Sequence, residues 1–499
     1  MAKRMKIKSF TISPGSLLTF IIVLMSLSLF ILRINLSLSY LPEIGGVSIN
    51  VLYGIIRLVS GSDLYTNPEF APFPIIQYMP LHFHIVAFLS KVIGINNDVH
   101  NMMALNRLFC LLIDLITVYL LGKTLIHSFN LSKNIAWPLA LIYFLSIPSI
   151  IYGRVDNLYL LFFMTTLVFF IKFTLNESTT EKDKKKYLFI AGILCGLCIL
   201  TKQTGIFLAV FCSIYLLLYL KSFRQFFFFA GGLIITLGIS LLLLFPESLH
   251  LVKLNVIDGV KNGINANWFF EVLLKNFFMK YSYILATGIF VSALLWKNNK
   301  NTGYVFVGAG IAWYFLTATA TAFKAGSGSN YYLEYIIFSI LGAALLIKSK
   351  VFTHPHITLF ALILSPFFLV AAANDKGWGD IGLMKKAKKN YSNCIEVANY
   401  LKPKLQKGEW VLTDFHKENT LNLQLSDRAL FPCREVALYF TRPIGVFHFK
   451  EFESLIKNKK IPYLVTKKGE LLEVFIDVPL TQYEPDTTIG NFQIFKRLN

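Results

Sequence analysis

Apolar runs of spanning length follow one another from near the N-terminus to about residue 373, separated by short polar and basic stretches. A helix needs roughly 20 apolar residues to cross a bilayer. The runs at 15–33, 104–126, 134–152, 157–174, 187–201, 204–220, 225–245, 276–296, 303–321, 333–348 and 356–373 meet or approach that length. One more, 79–95, carries His82, His84 and Lys91. Its status follows from the basic residues, because cytoplasmic loops hold an excess of Lys and Arg. Suppose the N-terminus is inside and 79–95 is a helix within the first external loop. Lys123/Lys133, Lys182/Lys184/Lys185/Lys186, Lys221/Arg224, Lys297/Lys300 and Lys348/Lys350 then all face the cytoplasm. Counting 79–95 as a span puts every one of these clusters outside. The pattern therefore predicts a polytopic α-helical membrane protein of about 11 transmembrane helices, with a membrane module over 1–373 and a first external loop over 34–103.

From 374 to 499 the pattern changes. A charged helical stretch (Lys385, Lys386, Lys388, Lys389, then Ile395, Val397, Ala398, Leu401) is followed by strand-like runs at 410–413, 429–431 and 461–465. Short strands alternating with helices predict a small α/β domain, and an odd number of spans puts it outside the cell.

Composition agrees. The 499 residues are 55% hydrophobic and 15% charged, where a soluble domain carries about a quarter charged residues. The net charge of +20 does not point to nucleic acid, because the basic residues cluster between apolar runs and so set topology and attract anionic lipid. The basic N-terminus is followed by no small-residue cleavage site, so 15–33 is expected to be a retained span. Cys110, Cys195, Cys198 and Cys212 lie in spans and suit packing. Cys394 and Cys433 share the external tail, where oxidation permits pairing.

The candidate chemistry gathers in the external loops. The stretch 41–81 is too long for an ordinary connection and too apolar for disorder. It begins with Glu43 beside Gly45 and Gly46, continues as an amphipathic segment suited to the membrane interface, and ends in Tyr78-Met79-Pro80-Leu81. Asp63, in Gly61-Ser62-Asp63, suits either an acid site or a helix-ending turn. Arg154-Val155-Asp156 begins a span, and the planar arginine fork matches phosphate oxygens. Lys202-Gln203 fills a short break on the side where lysine is less expected. Lys324 opens a glycine-rich loop that runs through Asn330 and Tyr331 to Glu334 at the head of an apolar helix. His82 and His84 alternate and lack a third ligand, and Asp114 inside a span is expected to meet another polar group.

At these residues the chain resembles the GT-C glycosyltransferases, and among them a bacterial branch similar to the dolichyl- and undecaprenyl-phosphate mannosyl- and arabinosyltransferases. The resemblance rests on Glu43, the turn Gly61–Tyr65, Tyr78–Leu81, Gly153–Asn157, Leu200–Thr204 and Gly328–Glu334, and covers about 15–350. It implies transfer of a sugar from a polyprenyl-phosphate donor to an extracytoplasmic glycan, lipid or protein, with inversion. Glu43, with Asp63 and Asp156, would be catalytic. Arg154, Lys202 and Gln203 would hold the donor phosphate, and Tyr78, Lys324, Asn330, Tyr331 and Glu334 the substrates. Some members place a divalent metal, Mg or Mn, between acids of the first two external loops, here Glu43 and Asp156. The family acid is commonly aspartate, where this chain has a single glutamate. The implied location is the cell (inner) membrane, with the site and tail facing the periplasm or exterior. The rival expectations are an oligosaccharyltransferase or ligase moving a whole glycan, and a flippase, which would carry polar groups near the bilayer midplane.

Overall fold

The computed structural model describes residues 14–42, 47–95, 98–147, 153–175, 180–244, 248–270, 279–297, 302–349, 376–413, 420–432, 437, 441–468 and 478–498. Among the described residues fourteen α-helices precede the tail: α1 Pro14–Leu38, α2 Val47–Val59, α3 Leu81–Ile93, α4 Val99–His127, α5 Lys133–Ser146, α6 Asp156–Leu175, α7 Glu181–Thr201, α8 Ile206–Ile214, α9 Phe223–Leu243, α10 Leu249–Val252, α11 Ala266–Trp268, α12 Met279–Lys297, α13 Thr302–Ala322 and α14 Leu333–Lys348. Six helices among the described residues are long and apolar enough to cross a membrane: Ser16–Leu38, Val99–His127, Asp156–Leu175, Phe223–Leu243, Thr302–Ala322 and Asn330–Lys348. The protein is an integral membrane protein.

The described residues show six of the eleven expected spans as long apolar helices, and several of the other runs are shorter, divided or partly outside the described residues. Over its described part the run 134–152 forms the 14-residue α5, with Pro138 inside it, and 148–152 lie outside the described residues. The run 204–220 is divided into a 3₁₀ turn, α8 and a π turn at Tyr215–Tyr219. The run 356–373 lies outside the described residues. The run 79–95 forms the 13-residue α3, closed by Gly94 in the left-handed region at φ 78°, too short to cross a bilayer at 1.5 Å per residue.

Local signals account for the boundaries. Asp98 caps α4 by accepting from the Asn101 amide. Thr180 caps α7 by accepting from the Asp183 amide and donates its hydroxyl back to Asp183 Oδ2, which satisfies donors that have no partner in the first turn. Helices α7 and α9 meet at Gly192 and Gly232, where a Cβ on either would strike the other's backbone at Phe229 O or Phe189 O. Small residues permit that approach between membrane helices.

The tail contains α15 Lys376–Leu401, the short α16 Leu421–Leu425, α17 Lys450–Lys457 and strands β1 Val411–Thr413, β2 Tyr463–Lys467, β3 Tyr483–Ile489 and β4 Phe492–Arg497. The sheet order is β1-β2-β4-β3, with β1 parallel to β2 and the remaining pairs antiparallel. Of the expected strands, 410–413 and 461–465 are found with shifted ends. The run 429–431 contributes only a bridge from Ala429 to Val411. The β3–β4 hairpin was not expected. Cys394 is buried, and Cys433, with which it could pair, lies outside the described residues.

Candidate active site

The chemistry collects at one end of the helical bundle. This is where α1, α7 and α13 finish and where α4, α6 and α14 begin. Asp156 is the first residue of α6 and is 2% exposed. Lys202, buried just beyond α7, places Nζ 2.7 Å from Asp156 Oδ1. Asn330 Nδ2 donates to the same oxygen at 2.8 Å. The ammonium lies 5.3 Å from the Tyr331 ring centre and 5.5 Å from that of Tyr159, within the range of cation–π attraction. Glu334, at the head of α14, is buried beside Lys202 and Tyr159. Arg154, also buried, precedes Asp156 by two residues. Three loops that are distant in sequence thus supply two carboxylates and a pair of cations to one buried cluster.

Tyr78 joins it from the first loop. Burial, and then Asp156 and Tyr331 nearby, push its phenol well above the usual tyrosine range, so it stays a neutral hydrogen-bonding group. Lys324 arrives from the glycine-rich loop, whose backbone bridges to Ile264. Burial, together with the neighbouring Lys202 charge, lowers the Lys324 pKa from its usual 10.5 to about 8. A lysine in this condition favours an anion beside it, because an anion restores the charged form.

A stripe on α4 positions the turn ahead of Asp156. Asn106, Cys110 and Asp114 fall four residues apart on one helix face. Asn106 Nδ2 donates to Gly153 O at 2.8 Å, Cys110 Sγ lies 3.4 Å from Arg154 O, and Asp114 Oδ1 accepts from Asn157 Nδ2 at 2.8 Å. Gly153 has φ 71°, and a Cβ there would meet the Asn106 side chain, so glycine is required on both counts. Asp114 also faces Arg33 Nη1 at 3.7 Å, which meets the expectation of a polar partner. Arg33 in turn donates to Ile147 O at 2.7 Å. Arg107 holds the end of α1 through Leu36 O, Ser39 O and Leu41 O.

Other expected site residues take different places. Gln203 donates to Gln77 O at 3.0 Å and lies 3.5 Å from Val256 O, so it ties the first loop to the 253–258 turn. Asp63 is exposed in the turn after α2, where its carbonyl accepts from Arg57 Nε at 2.7 Å. Glu43 lies outside the described residues; the preceding Leu41 is fixed by Arg107. His82 is buried against Asn106 Oδ1 at 2.9 Å, and burial lowers its pKa to about 4, so it is neutral and structural.

The family model described as dolichyl-phosphate-mannose-protein mannosyltransferase matches residues 78–245, a stretch that includes Tyr78, Arg154, Asp156, Lys202 and Gln203. ArnT from Cupriavidus metallidurans in the apo state aligns with a TM-score of 0.60 at 12% identity, covering 95% of this chain and 97% of that one. The same protein bound to undecaprenyl phosphate gives 0.58 at 12% identity over the same shares. The chain has the GT-C glycosyltransferase fold. The Archaeoglobus fulgidus oligosaccharyltransferase in its apo form gives 0.48 at 13% identity, over 91% of this chain and 69% of that one. No curated protein matches in sequence.

The expected metal site between Glu43 and Asp156 includes Glu43, which lies outside the described residues. No group of three His, Cys, Asp or Glu is placed to hold a metal among the described residues. The Lys202 ammonium already occupies the cation position at Asp156 Oδ1. Sequence inspection missed Asn106, Arg107, Tyr159 and Asn255, the last of which ties the first loop by accepting from the Ile76 amide and donating to Thr66 O. The first two offered a signal, an adjacent Asn-Arg inside an apolar run, since polar groups in spans are costly and tend to be functional or paired.

Proposed function

We propose that the protein is an inverting membrane glycosyltransferase that moves a sugar from a polyprenyl-phosphate donor to an extracytoplasmic acceptor. The observation that carries this reading is the buried Asp156–Lys202–Asn330 cluster, with Arg154 and Lys324 close by, at one end of a GT-C bundle. Its cations suit a lipid phosphate. As the glycosidic bond to phosphate breaks, negative charge grows on the leaving oxygen, and preorganised cations stabilise it without reorganising. Lys202 keeps one proton on Asp156 and has others to offer. Glu43 is the proposed general base for the acceptor hydroxyl, and one displacement inverts the anomeric carbon.

Radiolabelled transfer from purified polyprenyl-phosphate sugars tests the reading, and transfer from none of them sinks it. Lys324 adds a pH signature. With its pKa near 8, the charged form that serves a phosphate is lost as pH rises through 8. Donor KM should therefore be flat below pH 8 and rise above it, and Lys324→Gln should start high and lose that rise. The same lowered pKa means the unfolded state binds more protons between pH 8 and 10.5, so this residue makes stability increase with pH across that window.

We also propose that the cluster and tail face away from the cytoplasm. Lys133, Lys182, Lys221, Lys297 and Lys348 all stand at the bundle end opposite Asp156, the distribution expected of a cytoplasmic side. An impermeant thiol reagent on intact cells should label Glu484→Cys and spare Lys182→Cys. The reverse pattern would invert the topology.

A further inference from the structure

The first external loop and the C-terminal domain exchange carboxylates. Glu69, in the loop, accepts from the His448 amide at 2.9 Å through Oε1 and from the Phe449 amide at 2.6 Å through Oε2. Those amides stand immediately ahead of α17, where donors lack partners within the helix and negative charge is favoured. Glu451, in the first turn of α17, returns the bond by accepting from the Ala71 amide at 2.6 Å. The arrangement is reciprocal in the manner of a capping box, but it joins residues about 380 positions apart in the chain. Between these bonds Phe73, fully buried, stacks on Phe431 at 4.7 Å and meets Phe449 and Phe452 edge-on. The Phe431 amide donates to Pro72 O at 2.8 Å.

A second junction lies at the other end of the same loop. Tyr40, three residues before Glu43, stacks on His100 at 3.7 Å and leans on Tyr391 of α15 at 5.0 Å. The Tyr391 hydroxyl accepts from the His100 amide at 3.1 Å and from Gln424 Nε2 at 2.9 Å. Tyr391 and Leu423 of the tail also share an apolar cluster with Val51, Leu52 and Ile55 of α2. The tail therefore grips the loop before Glu43, along α2, and again at 69–73. Beyond Phe73 the chain continues through Ile75 O, which accepts from Asn50, and the Ile76 amide, which donates to Asn255 Oδ1. It then reaches Tyr78 in the cluster.

We propose that the C-terminal domain is a positioning part of the transferase site, holding the first loop at Tyr40 and at Glu69–Phe73 so that Tyr78 stays aligned with the Asp156–Lys202 cluster. The inference rests on the glycosyltransferase reading and assigns Glu69, Phe73, Tyr391 and Glu451 a role through the loop, with none of them touching substrate. The donor-phosphate cations come from other loops, so loosening this clamp leaves donor affinity in place and reduces alignment.

The test uses the full-length protein in detergent with three variants. Glu69→Gln keeps one acceptor oxygen of two, Glu69→Ala keeps none, and Glu69→Ala/Glu451→Ala removes the exchange entirely. Turnover at saturating donor should fall in that order, reaching about tenfold or more in the double variant, while donor KM stays within about twofold. Amide hydrogen exchange in peptides covering 64–78 should quicken in the same order, with peptides from α6 and α7 unchanged. Faster exchange with unchanged turnover would overturn the proposal, since the docking would then serve only to attach the tail. Unchanged exchange would overturn it too. A rise in donor KM with constant turnover would move the loop's influence to donor binding and refute the role stated. Absence of transfer by the wild-type protein would instead refute the glycosyltransferase reading, and the exchange measurement would still report whether the clamp exists.

Discussion

Asp156→Ala should destabilise the protein by about 3–5 kcal/mol, the usual cost of removing one partner of a buried ion pair, and should abolish transfer. Lys202 is 7% exposed, with Nζ 2.7 Å from Asp156 Oδ1. Without Asp156 its charge is left buried, with Tyr331 and Tyr159 near it as ring faces. Glu334 leaves one carboxylate beside the ammonium, but the 2.7 Å ion pair and hydrogen bond to Asp156 are lost. A cation–π contact contributes about 0.5–2 kcal/mol, less than the loss. Asn330 donates to Asp156 and has no acceptor role toward it. Asp156→Asn keeps an acceptor oxygen and should lose less stability. Lys202→Met in the Asp156→Ala background removes the stranded charge and should recover much of the thermal midpoint with no recovery of transfer. That cycle separates stability from chemistry. If Asp156→Ala unfolds at the wild-type midpoint, the pair is not buried as described.

The sequence revealed elements more readily than partners. Apolar runs of about 20 residues stand out because a bilayer imposes length and polarity locally, so α1, α4, α6, α9, α13 and α14 were legible. The convergence of Asp156, Lys202, Asn330 and Glu334 was legible as well, because the parity of the spans brings their loops to one face. That Lys202 pairs with Asp156 was not legible. The separation of 46 positions carries no trace of which acid a lysine meets. Gln203 looked like a phosphate ligand, yet its amide reaches backbone carbonyls at 77 and 256, contacts that leave no pattern in side-chain type. The β3–β4 hairpin escaped because Tyr483–Ile489 contains Pro485 and Asp486 and is mostly solvent-facing, which weakens alternation. The partnership of Glu69 with α17 joins residues that only the tertiary structure brings together.

Glu43→Gln should lower turnover by about 10²–10⁴-fold, the usual contribution of a general base, with expression and thermal stability near wild type. The acceptor hydroxyl must lose its proton as it attacks, and an amide of the same size cannot take it. The chain leading up to Glu43 is held by described residues. Two residues before Glu43, Leu41 O is held by Arg107 at 2.7 Å, and one residue further back Tyr40 stacks on His100 and leans on Tyr391. A base needs such a fixed approach, since misplacement by about 1 Å costs on the order of 10²-fold. Glu43→Asp retains the carboxylate, withdraws it by one methylene, and should keep partial activity. Asp63 supplies the control. It is exposed in the turn after α2, with its carbonyl held by Arg57, so Asp63→Asn should leave turnover within about twofold. A fully active Glu43→Gln beside an inactive Asp63→Asn would transfer the role of base to Asp63, and full activity in both would remove the first-loop acids from the reaction altogether.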